Sequence, residues 1–141
     1  MRVDFYHLTQ VPLERALPSI AERVVVNGEK LAIVADDEML LARLDEALWT
    51  YRADSFLPHG RSGDQPVLLC TPETAKLAQE NIALVDGVWR DAALSFKRAF
   101  YFFDEAAVEA ARSAWRDLAE KDGVERHYWK QDEGGKWAEL G

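Results

Sequence analysis

A chain of 141 residues, 48% hydrophobic and 30% charged, has the size and make-up of one globular domain over residues 1–141, large enough to be stable without a metal or disulfide. With 17 basic against 25 acidic side chains the formal charge is −8, which argues against direct tight binding to nucleic acid unless a local patch reverses the sign. The single cysteine, Cys70, excludes an intramolecular disulfide or multi-cysteine zinc site, and no apolar run approaches the ~20 residues of a membrane span. The start "MRVDFYHL" lacks the apolar stretch of a signal peptide, so a cytoplasmic location is expected.

Residues 3–8, "VDFYHL", read as a first strand, rich in aromatic and β-branched side chains. Leu13, Leu17, Ile20, Ala21 and Val24 then recur at helical steps. Pro12 suits the first turn of that helix, Asn27-Gly28 its stop, and Pro18 predicts a kink or a restart. The continuous apolar run 30–35 predicts a strand buried on both faces. A second helix over about 37–50 carries Leu40, Leu44, Ala47 and Leu48 on one side, and an aromatic connection follows, with Trp49, Tyr51 and Phe56 closed by Pro58, His59 and Gly60. Residues 66–71 form a third strand with Cys70 buried in it, 73–80 a short helix, and 82–86 a fourth strand. Val88, Ala92 and Phe96 have helical spacing across 88–100, and 100–103 is a fifth strand. The clearest helix is 104–121, with Val108, Ala111, Trp115 and Leu118 on one face, while 122–141 reads as a hairpin around Gly134-Gly135 or as a tail. Such alternation predicts a Rossmann-like, three-layer α/β/α domain with a mostly parallel five-stranded sheet, whose ligands favour the carboxyl ends of the strands.

Catalytic signatures are missing from those places. The turn after the first strand, "HLTQVP", has no glycine, so the dinucleotide fingerprint is absent, and neither a phosphate-binding G-x-x-x-x-G-K-[ST] loop nor a G-x-S-x-G elbow occurs. His7, His59 and His127 lack metal-ligand spacing. Asp36, Asp37 and Glu38 could hold Mg²⁺, or could cap a helix, which is the more economical reading. No cofactor, metal or catalytic residue is therefore expected.

Two groups of residues suit binding instead. Trp49 and Phe56, in a loop stiffened by Pro58 and Pro66, are either interface anchors or part of the chain's own core. Arg112, Trp115 and Arg116 share one helix face at i, i+3 and i+4, offering two cations and an apolar wall to a peptide carboxylate and its hydrophobic neighbour. The competing reading is a solvated face with Glu109 pairing Arg112 and Glu120 pairing Arg116.

The segments "RLDEALW" (43–49), "SFLPH" (55–59) and "FYHL" (5–8) carry a resemblance: the sequence is similar to the chi subunit family of bacterial DNA polymerase III. The resemblance extends over most of the chain and is weak in the last twenty residues. It implies a non-catalytic clamp-loader accessory subunit that bridges the replicase to single-stranded DNA-binding protein during DNA replication. It also implies that Trp49, Phe56, Pro58 and His59 face a psi subunit where one exists, and that Arg112 receives the terminal carboxylate of the single-stranded DNA-binding protein tail, which ends in an aromatic residue. Trp115 stands where the family can have tyrosine and Arg116 where it can have lysine. Val108 stands where related proteins can carry lysine, which implies a weaker pull on the acidic tail unless Lys97, Arg98, Arg126 or Lys130 compensates. Two rivals remain: a small α/β nucleotide- or Mg-binding enzyme using Asp36, Asp37 and Glu38, and a single-stranded DNA binder stacking bases on Trp115, Trp129 and Trp137.

Overall fold

The computed structural model describes residues 1–51, 57–74 and 79–141. Strand β1 (Arg2–His7) sends Val3 and Phe5 to one face of the sheet and Tyr6 to the other, as a period of two requires. Helix α1 (Leu13–Val26) is capped by Pro12 and Asn27 and followed by Gly28 at φ +79°. It buries Leu17, Ile20, Ala21 and Val24, and it runs through Pro18 without restarting; the proline ring is itself buried. Strand β2 (Leu31–Val34) leads to α2 (Glu38–Thr50), whose Leu40, Leu44 and Leu48 are buried. Then come β3 (His59–Gly60), β4 (Val67–Cys70), a 3₁₀ turn at Pro72–Thr74, and β5 (Asn81–Leu84). A second 3₁₀ turn at Asp91–Ser95 precedes β6 (Arg98–Phe103). A third, at Glu105–Ala107, opens into α3 (Val108–Ala119), followed by β7 (Glu125–Gln131) and β8 (Trp137–Glu139).

The strands form one sheet in the order β3-β4-β2-β5-β6-β1-β7-β8. Every neighbouring pair is parallel except β7 with β8. One face packs α1 and α2 over Tyr6, Ile33, Leu69, Phe100 and Phe102. The other packs α3 and the Asp91–Ser95 turn over Phe5, Val34, Leu84, Tyr101 and Phe103. The architecture is therefore α/β with a mostly parallel sheet and helices on both faces, and Cys70 is buried in β4.

The described residues contain eight strands, not five. The additions are β3, two residues long, and the pair β7 and β8, an antiparallel hairpin whose connection holds Gly134-Gly135 and which joins the sheet through the pairing of β7 with β1. The helical spacing across 88–100 does not yield a helix. Val88 is exposed, Phe96 is extended, and the run from Arg98 onward is a strand between β5 and β1, where six residues pair with β1 and the first four of them also pair with β5. The short helix expected at 73–80 is a 3₁₀ turn at Pro72–Thr74, with 75–78 outside the described residues.

Asp4 of β1 is fully buried among donors. Arg98 Nε donates to it at 2.8 Å, Trp129 Nε1 at 3.0 Å and Arg2 Nη2 at 3.0 Å. Burial alone would raise its pKa, but the hydrogen bonds from Arg2, Trp129 and Arg98 outweigh it and hold the carboxyl below its ordinary range.

Candidate protein-docking sites

A cleft of about 990 Å³ lies where ligands favour such sheets, between the loop after β1 and the segment after β6. Its phosphate-cradle position is filled from within. The successive N–H groups of Thr9, Gln10 and Val11 donate to Gln131 Oε1 at 2.9, 2.8 and 3.1 Å, so one amide oxygen occupies the concavity a phosphate oxygen would need. The rim bears Glu14, Asp37, Asp86 and Asp104 against Arg43, a field that repels anions.

The acidic run 36–38 is divided among separate partners. Asp37 Oδ1 caps α2 by accepting from Met39 N at 2.9 Å, Asp36 accepts from Arg90 Nη2 at 3.0 Å, and Glu38 pairs with Arg61. Arg90 also bonds Asp86, whose carboxyl lies below the usual range because these bonds outweigh its burial. Among the described residues no three His, Cys, Asp or Glu side chains converge as metal ligands. His7 lies 2.8 Å from Glu105 through Nε2, His59 3.2 Å from Asp45, and His127 between Glu125 and Glu139, in three unconnected places.

Helical spacing does bring Arg112, Trp115 and Arg116 together on α3. They line a cavity of about 310 Å³ whose other wall is Tyr128, Leu140 and Gly141. Trp115 packs its ring edge-on against Phe5 and Tyr128, at centroid separations of 5.2 and 5.6 Å, and so stands as a fixed wall. Arg126 of β7 lies over the indole with Cζ 4.1 Å from the ring centroid and donates from Nη1 to Trp115 O at 2.6 Å. Arg112 pairs with Glu109 at 2.7 Å, as the solvated-face reading requires. That pair is surface-exposed on both sides and contributes little, so it does not hold the guanidinium against a competing carboxylate. Val108, in the first turn of α3, is half-buried against the core. Lys97 and Arg98 are held by Glu29 and Asp4 and do not reach this notch. Tyr128 and Arg126 escape a reading by helical spacing because they come from another element; the alternation of β7 is the signal that sets them side by side on one face.

At the opposite edge of the sheet, Trp49 lies in the last turn of α2 with 53% of its surface exposed, so it does not complete the core. Its ring lies 4.6 Å from that of His59, which is buried, donates from Nδ1 to Leu57 O at 2.6 Å and faces Asp45 through Nε2. Pro58 is half-buried beside it, and Phe56 lies outside the described residues. The three tryptophans 115, 129 and 137 do not form one stacking platform. Trp115 packs with the α3 face, whereas Trp129 and Trp137 pack around Tyr6 on the other. No helix among the described residues is long and apolar enough to cross a membrane.

Comparison with known proteins gives the chain a family. The chain is 28% identical over 112 residues to DNA polymerase III subunit chi of Escherichia coli (strain K12), an alignment covering 74% of this chain and 76% of that relative. The family model described as DNA polymerase III chi subunit, HolC, matches residues 1–125, and the chain belongs to that family.

Proposed function

We propose that the chain is a non-catalytic accessory subunit of the DNA polymerase III holoenzyme, acting in its clamp-loader complex as a bridge to single-stranded DNA-binding protein. The observation that carries this reading is the notch on α3 and β7, where Arg112 and Arg116 flank an indole wall on an otherwise acidic molecule. An acidic tail ending in an aromatic residue fits it: the terminal carboxylate takes the arginines through charged hydrogen bonds, and the ring lies along Trp115. Arg126, stacked on that indole, supplies positive charge where Val108 does not. Exposed Trp49 and half-buried Pro58, backed by the buried ring of His59, are the surface for a psi subunit, which links the chain to the clamp loader, and Phe56 is assigned to the same role.

Arg112→Ala tests the tail site. It is expected to weaken an acidic tail peptide by about 1.5–3 kcal/mol, roughly ten- to a hundredfold in Kd, by titration calorimetry. Wild-type affinity should also fall as salt rises, because opposite charges are screened. An Arg112→Ala protein that binds as tightly as wild type refutes the assignment.

A further inference from the structure

We infer that Leu140, held over the notch by the pairing of the chain beyond β8 with β7, is the second apolar wall of the tail pocket and sets which terminal side chain fits there. This rests on the α3 notch being the tail site and adds a specificity-determining residue from a part of the chain the family match does not reach, since that match ends at residue 125.

Main-chain geometry positions the wall. Leu140 N donates to Tyr128 O at 2.7 Å and Tyr128 N donates to Gly141 O at 3.2 Å, which extends the β7–β8 pairing beyond Glu139. Across the same two strands His127 Nδ1 lies 2.7 Å from Glu139 Oε2. The strand therefore stays in place independently of the Leu140 side chain, which is 64% exposed and lines the cavity. Gly141 brings backbone against the indole: a Cβ there would sit 3.4 Å from Trp115 Cζ2. The result is a slot with Trp115 on α3, Tyr128 at its base and Leu140 at its rim, and both arginines at its mouth. About 310 Å³ is at the low end of the ~300–1,000 Å³ typical of small-ligand pockets, a size for one side chain with its carboxylate and not for a long peptide stretch. An exposed leucine beside a fixed aromatic base gains burial only when an apolar group enters the slot.

The experiment is calorimetric titration of two synthetic acidic peptides, one ending in phenylalanine and one in alanine, each with a free carboxylate, into wild type, Leu140→Ala and Arg112→Ala. Leu140→Ala is expected to weaken the phenylalanine peptide about five- to tenfold and the alanine peptide much less, the non-additivity that marks direct contact. Arg112→Ala weakens both peptides. Equal losses for the two peptides, unchanged affinity, or tighter binding to Leu140→Ala (the sign of a residue that occludes the slot) overturns the inference and leaves the tail site standing. If wild type binds neither peptide, or Arg112→Ala has no effect, the tail-site reading falls and takes this inference with it.

Discussion

Asp4 shows how one carboxylate can bind strands together and tie stability to pH. Three side chains from three strands, Arg2, Arg98 and Trp129, converge on an acid that water does not reach. Its folded pKa is depressed, so its stabilisation is fully present above the unfolded value of about 3.9 and is lost as pH falls through the lower, folded one. Asp4→Asn keeps the shape and removes the charge. Urea unfolding at neutral pH should show a loss of about 1–3 kcal/mol, and the variant's stability should fall less steeply below pH 4 than the wild type's. At this scale the sequence is informative where local geometry is fixed. Arg112, Trp115 and Arg116 share a face because any helix puts i, i+3 and i+4 together. Arg126 over Trp115, or Arg98 beside Asp4, depends on which strands lie next to which, and nothing in a local window encodes that.

The loop between β1 and α1 has its shape set by one side chain from another element. Three consecutive backbone donors share Gln131 Oε1, and Thr9 Oγ1 donates to Gln131 O at 3.2 Å, so the end of β7 closes the turn that binds phosphate in nucleotide-binding proteins with doubly wound sheets. Gln131→Ala should cost about 1–3 kcal/mol of unfolding free energy by leaving those donors without their acceptor, while the affinity for a tail peptide at α3 stays at the wild-type value. The turn "HLTQVP" carries no glycine, and nothing in its local sequence signals that an amide from residue 131 accepts from three of its backbone donors. Elements with clean periodicity, α1, α2 and α3, match their apolar spacing. The segment 88–100 does not, because Val88, Ala92 and Phe96 fit a helix only locally, and the gain from seating Arg98–Phe103 between two strands outweighs that fit.

At the scale of the whole molecule the two proposed docking surfaces lie far apart. Trp49 and His59 sit by β3 at one edge, on the α2 face; Arg112 and Trp115 sit by β7 near the other edge, on the α3 face. Six strand spacings of ~4.8 Å put about 29 Å between β3 and β7. Sites so separated should act independently. Trp49→Ala should weaken capture of a psi subunit and leave tail affinity unchanged, Arg112→Ala should do the reverse, and the double variant should show the sum within about 0.5 kcal/mol. Alternation of strands and helices made the fold class legible, but the strand order was not, because the pairing of residues 2–7 with 98–103 and 125–131 leaves no local trace. That placement of β1 also bears on how the chain matures on the ribosome. One hydrogen-bonding rim of Arg2–His7 stays vacant until residues 98–103 have emerged and the other until residues 125–130 have, so every shorter nascent form carries an open, aromatic template able to recruit stray strands. Prompt synthesis, or shelter by a chaperone, should therefore raise the yield of native protein, measurable as the soluble fraction on expression.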